Sequence, residues 1–75
     1  MTKQQYEYCN NFRGIINLFV NSGEFIGGCD ALFDYYKDQF NLGNPVNTRC
    51  PSCVGATLLD INQKLVNYER NLQSL

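Results

Sequence analysis

Two cysteines three positions apart form the local motif of this sequence with the clearest chemical content. Cys50 and Cys53 flank Pro51 and Ser52, and apolar residues at helical spacing follow them. A helix amino terminus presents unpaired N–H groups and partial positive charge, which favour a thiolate as a nucleophile or as a metal ligand. Dithiol oxidoreductases normally carry such a pair after a strand of a βαβ unit, and no strand-like alternation precedes Cys50. The motif therefore fits two chemistries, and its context weighs against the oxidoreductase.

Zinc is the metal that a Cys-Pro-x-Cys segment indicates. A closed tetrahedral site needs four ligands, and the chain has four cysteines and no histidine. In a bundle whose helices run up, down and up, Cys9 would lie at the same end as Cys50 and Cys53, and Cys29 about 16 Å away. The metal alternative is therefore a three-thiolate site of Cys9, Cys50 and Cys53, a site shared between subunits, or a site made possible by a less regular second helix. In the simpler interpretation, Cys9 and Cys29 are small buried apolar residues and Cys50 and Cys53 are partly exposed thiols. Four cysteines in a short chain would also suit two disulfides in an oxidising compartment.

The sequence contains no catalytic constellation. The chain has no histidine, so the commonest general base is missing. The segment 23–28 has the glycine spacing that begins a phosphate-binding loop, but Cys29 and Asp30 stand where lysine and a hydroxyl residue are required. We therefore interpret the protein as a non-enzyme. A weaker alternative is a binder of small anionic ligands at positive helix openings near Gly27 and Cys50.

Three segments with apolar residues at helical spacing must position these groups. The predicted helices cover about residues 3–20, 24–41 and 50–74. Thr2 and Gln5 have the pattern of a capping box, Gly14 interrupts the first segment, and Gly43 is a stop signal after the second. The sequence predicts a single all-α domain over residues 1–75, either a small three-helix bundle or a helical hairpin followed by a long carboxyl-terminal amphipathic helix.

The third segment carries the most regular apolar stripe. Steps of four and three residues alternate along it through Val54, Leu58, Ile61, Leu65, Tyr68, Leu72 and Leu75. A 3.5-residue repeat held for three heptads is typical of a helix that packs along one seam. The third helix is predicted to be about 36 Å long and the second about 22 Å, so the end of the stripe lacks a cover within the chain.

Composition and charge exclude several partner classes. The net charge of −1, from six basic and seven acidic residues, gives no electrostatic surface for nucleic acid or anionic lipid. No apolar run approaches the roughly 20 residues that cross a bilayer, and the amino terminus lacks the basic and apolar parts of a secretory signal. We expect a cytoplasmic protein that binds neither nucleic acid nor membrane and holds no cofactor apart from the zinc alternative.

The segment 47–54 reads Asn-Thr-Arg-Cys-Pro-Ser-Cys-Val and leads into the leucine-patterned helix. This pattern resembles one in small bacteriophage proteins, and the resemblance covers about the last third of the chain. It implies a short helical accessory protein with a role in the virion or in interaction with the host, located in the host cytoplasm or the virion. The resemblance implies no reaction.

These observations lead to the hypothesis of a non-enzymatic interaction or assembly protein that binds itself or a larger protein partner through the third helix. The predicted interface residues are Leu58, Leu65, Tyr68, Leu72, Leu75 and Tyr35. If two copies pair in parallel, Lys64 and Glu69 fall at flanking positions suited to ion pairs between chains.

Overall fold

A computed structural model describes residues 1–73 of the chain. Within these residues there are four α-helices and no β-strand: α1 Lys3–Asn10, α2 Arg13–Ser22, α3 Asp30–Phe40 and α4 Pro51–Gln73. The predicted all-α class with a long carboxyl-terminal helix is confirmed. None of these four helices is both long enough and apolar enough to span a membrane.

The predicted first helix, over about residues 3–20, is divided into α1 and α2 at Asn11 and Phe12. The N–H groups of these two residues donate to carbonyls three residues earlier, at 3.2 and 3.0 Å. Hydrogen bonds of this kind tighten the last turn of α1 and redirect the chain. Gly14 lies in the first turn of α2, and no atom lies within 4 Å of the position that a β-carbon would take there. This glycine therefore marks the start of a helix rather than a close contact between helices.

Local signals set several helix ends where the sequence predicts them. The N–H of Gln5 donates to Thr2 Oγ1 at 3.2 Å, and the N–H of Thr2 donates to Gln5 Oε1 at 2.8 Å, which completes the predicted capping box of α1. Gly23 ends α2 and Gly43 follows α3, with φ angles of 77° and 81°. A residue without a β-carbon adopts this left-handed conformation without strain, so its N–H can close the last helical turn.

The second predicted helix starts at Asp30 and not at residue 24. Gly27 and Gly28 weaken the predicted first turn, so the sequence itself allows a start near Cys29 or Asp30. Gly27 and Gly28 have φ angles of 83° and 80°, in the left-handed region, so this segment cannot continue a right-handed helix. Cys29, which follows them, is fully buried and brings the chain to the core just before α3.

One hydrophobic core joins the four helices. Its buried apolar residues are Cys9, Ile16, Cys29, Leu32, Phe33, Val54, Leu58, Ile61 and Leu65. The last four are the first four positions of the predicted α4 stripe. Burial of each large aliphatic side chain contributes about 1.5–3 kcal/mol, so the heptad spacing serves the chain's own core as far as Leu65.

α2 and α4 pack in an antiparallel arrangement. At the end of α2, the ring of Phe19 lies 3.0 Å from the position that a β-carbon on Gly55 would occupy. At the start of α2, Arg13 contacts Glu69 near the other end of α4, at 3.0 Å. The missing side chain of Gly55 lets the Phe19 ring approach the α4 backbone closely.

α3 and α4 run in the same direction, which corrects the expected up, down and up order. Tyr36 Oη donates to Asp60 Oδ2 at 2.8 Å, and one turn further Lys64 Nζ lies 5.1 Å from the centroid of the Phe40 ring. From the first contact to the second, the contacting residue moves forward by four positions on both helices, so the two helices run in parallel. The segment 41–50 must then carry the chain back from the end of α3 to the level of its start. Ten extended residues span about 30 Å, about twice the length of α3, so the segment is long enough.

Candidate functional site

The Cys-Pro-Ser-Cys motif lies at the amino terminus of α4, as predicted. Cys50 precedes the first helical residue, and its Sγ accepts the N–H of Cys53 at 3.2 Å. This is the position from which a side-chain acceptor caps a helix. Cys50 and Cys53 form a disulfide with their Cα atoms 5.2 Å apart. Both cysteines are half-buried, whereas Pro51 and Ser52 are exposed, so the motif is a surface feature.

The surroundings of this disulfide favour negative charge on sulfur. The first turn of α4 contains no acidic residue, and the exposed Arg49 stands directly before Cys50. The unpaired N–H groups of a helix amino terminus add partial positive charge at the same place. The Thr57 hydroxyl donates to the Cys53 carbonyl at 2.9 Å, which holds this turn of the backbone. A thiolate released at Cys50 would therefore meet a stabilising environment.

Cys9 and Cys29 have a different environment. Both are free thiols buried in the core. Burial raises the pKa of each to about 11, and the Asp30 carboxylate adds to the effect on Cys29. At neutral pH both are protonated, enclosed thiols, which agrees with the interpretation of these two cysteines as small buried apolar residues.

The predicted metal ligands Cys9, Cys50 and Cys53 are not brought together. Because α2 and α4 are antiparallel, the start of α4 lies beside Phe19 at the end of α2 and not beside α1. Within residues 1–73, no three or more Cys, Asp or Glu side chains lie close enough to hold a metal ion. Zinc coordination by Cys50 and Cys53 stays a prediction, and it would require reduction of their disulfide and ligands from another chain.

The predicted anion site near Gly27 lacks the helix opening on which it depends. α3 begins at Asp30, whose carboxylate occupies the first turn. Beside it, a cavity of about 240 Å³ lies between α3 and the segment 41–50. Its lining residues are Asp30, Phe33, Asp34, Lys37, Pro45, Val46 and Thr48. Two carboxylates against one lysine give this cavity a charge that opposes anion binding.

A polar cluster that the sequence did not indicate joins α1, α2 and α4. Arg13 donates through Nη1 and Nη2 to Glu69 Oε2 and Oε1, at 3.2 and 3.0 Å, and Tyr6 Oη donates to Oε2 at 2.8 Å. The Tyr6 ring stacks on Tyr68 with centroids 4.5 Å apart. The hydrogen bonds from Arg13 and Tyr6 hold the pKa of Glu69 below its usual value. Because these residues are far apart in the chain, no local pattern could have revealed the cluster.

The structure corrects the predicted interface at Leu58 and Leu65. Both side chains are 0% exposed and lie in the core of their own chain, so they cannot contact a partner. Heptad spacing identifies a buried seam, but it does not identify which helices supply the cover. Here the core residues of α1, α2 and α3 cover the seam of α4.

The other predicted interface residues lie at or near the surface. Tyr68 is half-buried, and Tyr35 is half-buried with its ring stacked on Tyr8 at a centroid distance of 3.9 Å. Leu72 is 53% exposed. Leu75 lies outside the described residues. Among the described residues, Leu72 is therefore the predicted contact with the most accessible apolar surface.

The ion pairs predicted between chains are formed within the chain. Glu69 binds Arg13, and Lys64 Nζ lies 3.7 Å from Asp60 Oδ2. Lys64 also covers the face of the Phe40 ring. Lys64 and Glu69 therefore have partners within the chain, and their pairing between two parallel copies stays a prediction.

Several exposed apolar side chains lie outside the predicted stripe. Leu42 is 97% exposed, Ile26 67% and Leu59 51%. Leu42 and Ile26 lie in segments between helices, where helical spacing gives no signal. The apolar surface of the molecule is therefore more widely spread than the stripe indicates.

No protein-family model, no curated protein and no solved structure matches the chain. The resemblance of the segment 47–54 to bacteriophage proteins consequently depends on those residues alone.

Proposed function

We propose that this protein is a non-enzymatic helical assembly protein in which the carboxyl-terminal turns of α4 bind a second copy of the chain. The observation that carries the proposal is the exposure of Leu72, 53%, on a helix whose other stripe leucines among residues 1–73, Leu58 and Leu65, are fully buried. An apolar side chain that continues a buried seam beyond its cover gains from association, because its burial removes apolar surface from water.

A cluster of contacts from α1 and α2 covers α4 one turn before Leu72. Tyr6 stacks on Tyr68, and Arg13 and Tyr6 bind Glu69. Leu72 lies three residues beyond this cluster on the same stripe. The contact surface proposed for the partner is therefore the exposed part of Tyr68 together with Leu72.

A second copy is the partner that this surface fits best. A heptad-spaced edge is self-complementary, since two copies can bring the same positions together about a twofold axis. Phe40 lies beside Lys64, so the end of α3 faces the carboxyl-terminal half of α4, and Leu42 follows Phe40 by two residues. The 97% exposure of Leu42 adds apolar surface at this end of the molecule. Assembly in a virion, or with a host protein, is the setting that the phage resemblance implies.

Light scattering coupled to size exclusion tests the proposal with Leu72→Glu and the matched control Leu59→Glu. The two leucines belong to the same helix and have similar exposure, 53% and 51%. The wild type and Leu59→Glu should both give a mass above the 8.6 kDa of one chain, rising with concentration, and Leu72→Glu should remain near 8.6 kDa. Far-ultraviolet circular dichroism should show unchanged helicity in both variants.

Two results would contradict this assignment. If all three proteins remain at the mass of one chain at every concentration, self-association is wrong and a larger partner becomes the alternative. If Leu59→Glu dissociates the complex and Leu72→Glu does not, the contact lies on the amino-terminal half of α4.

A further inference from the structure

We propose that Cys50 and Cys53 are a reversible thiol–disulfide exchange site for anionic low-molecular-weight thiols of the glutathione class. This site is independent of the assembly surface, since it lies at the opposite end of α4 from Leu72. The two sulfurs differ from those of Cys9 and Cys29 in their position at a helix amino terminus and in their access to solvent.

The position of Cys50 suits a sulfur that alternates between disulfide and thiolate. Its Sγ accepts the Cys53 N–H at 3.2 Å while the disulfide is intact. The same N–H can stabilise the thiolate after the bond opens, because charge on the acceptor strengthens a hydrogen bond. Both redox states of Cys50 are therefore compatible with one backbone conformation.

Access and charge favour a small anionic reactant. Pro51 and Ser52 are exposed, and the two cysteines beside them are half-buried, so a small thiol can reach the sulfurs without opening the fold. The exposed Arg49 and the amino terminus of α4 provide a positive field that attracts a carboxylate-bearing thiol.

The disulfide joins two cysteines that are only three positions apart in the sequence, within one helical turn. Its cleavage frees a very short loop whose backbone α4 already holds, since the Cys53 carbonyl accepts the Thr57 hydroxyl at 2.9 Å. Short loops lose little chain entropy on closure, so we expect the fold to persist after reduction.

The exchange balances in two steps. A small-molecule thiolate attacks Cys50 Sγ, the bond to Cys53 breaks, and Cys53 leaves as a thiolate that takes up a proton. A second small-molecule thiolate attacks the small-molecule sulfur of the mixed disulfide and releases Cys50. In total, two small-molecule thiols give up two electrons and two protons and become a disulfide, and the Cys50–Cys53 pair accepts them and becomes two thiols.

Cys9 and Cys29 provide the internal control. Both are buried thiols, and burial raises the pKa of each to about 11. In the folded chain they should not react with alkylating reagents on the time scale on which reduced Cys50 reacts.

The test uses the full chain in native buffer at neutral pH, with reduced and oxidised glutathione as the reactants. After treatment with excess reduced glutathione, iodoacetamide should add two groups, both mapped by mass spectrometry to Cys50 and Cys53. Treatment with oxidised glutathione should restore a state that takes up none, and circular dichroism should be the same throughout. Cys9 and Cys29 should become reactive only in denaturant.

Two variants identify the attacking sulfur. With oxidised glutathione as the reactant, reduced Cys53→Ser should form a mixed disulfide at Cys50 and release one reduced glutathione, about tenfold or more faster than reduced Cys50→Ser forms one at Cys53. Three results would overturn the proposal: a native disulfide that resists excess reduced glutathione, reduced cysteines that do not reoxidise with oxidised glutathione, and native labelling of Cys9 or Cys29 at the rate of Cys50. Equal trapping rates in the two variants would also overturn it, because the Cys50 position would then have no special role.

Discussion

Replacing Glu69 with glutamine should destabilise the fold more than any other exposed or half-exposed carboxylate substitution in α1 or α4. The Glu69 carboxylate accepts three hydrogen bonds, two from Arg13 and one from Tyr6, at 2.8 to 3.2 Å. Through them it joins α1 and α2 to the carboxyl-terminal half of α4. Glutamine keeps the size of the side chain and removes the charge, so Glu69→Gln isolates the electrostatic part of these contacts.

The magnitude follows from the exposure of the pair. Hydrogen bonds to buried charged groups contribute about 1.5–3 kcal/mol, whereas exposed ion pairs contribute about 0–1 kcal/mol. The side chains of Arg13 and Glu69 are 26% and 37% exposed, so solvent screens part of the attraction. The loss should be about 1–2 kcal/mol near neutral pH, and for a chain of this size each kcal/mol lowers Tm by about 4–8 °C.

The loss should also depend on pH in one direction. Hydrogen bonds from Arg13 and Tyr6 lower the pKa of Glu69 in the folded state below its ordinary value. The unfolded chain therefore binds the Glu69 proton more readily, and the stabilisation is complete above the unfolded-state pKa. It is lost as the pH falls through the folded-state pKa, so wild type and Glu69→Gln should converge in stability once the pH is below that pKa.

Urea unfolding followed by circular dichroism at several pH values measures this difference. Glu7→Gln is the matched control, because Glu7 pairs with Lys3 at 4.0 Å with both side chains largely exposed. We expect Glu7→Gln to change stability by less than about 0.5 kcal/mol at any pH. A loss for Glu69→Gln that equals the control, or that stays constant down to low pH, would refute the assignment of Glu69 as a charged link between helices.

Two further predictions each compare the effect of an alanine substitution on stability at two helical positions with different surroundings. Leu58→Ala should cost about 2–5 kcal/mol and Leu59→Ala less than about 0.5 kcal/mol in urea unfolding, since the two leucines are 0% and 51% exposed, and equal losses would contradict the burial pattern of α4. Gly14→Ala should raise stability by about 0.5–1 kcal/mol, because its β-carbon enters open space. Gly55→Ala should gain less or lose stability, because its β-carbon meets the Phe19 ring at 3.0 Å; a larger gain at Gly55 than at Gly14 in thermal unfolding would contradict this packing.

The amino-acid sequence by itself determined the features that depend on neighbouring residues. The capping box at Thr2 and Gln5 forms because both partners lie within one turn. Gly23 ends α2 because its backbone adopts a left-handed conformation without strain. The spacing of apolar residues identified α4 and its buried side, and the two cysteines at its start were placed correctly at a helix amino terminus.

Tertiary structure alone decided which helices cover that buried side and in which direction they run. The long segment 41–50 permits α3 to run either way against α4, and the contacts of Tyr36 and Phe40 select the parallel arrangement. The antiparallel packing of α2 on α4 separates Cys9 from Cys50 and Cys53. It also turns Leu58 and Leu65 from expected contacts into core residues. Glu69 meets Arg13 across 56 positions. Local propensity acts over one or two helical turns, whereas these outcomes depend on the free energy of burying whole helix faces against one another.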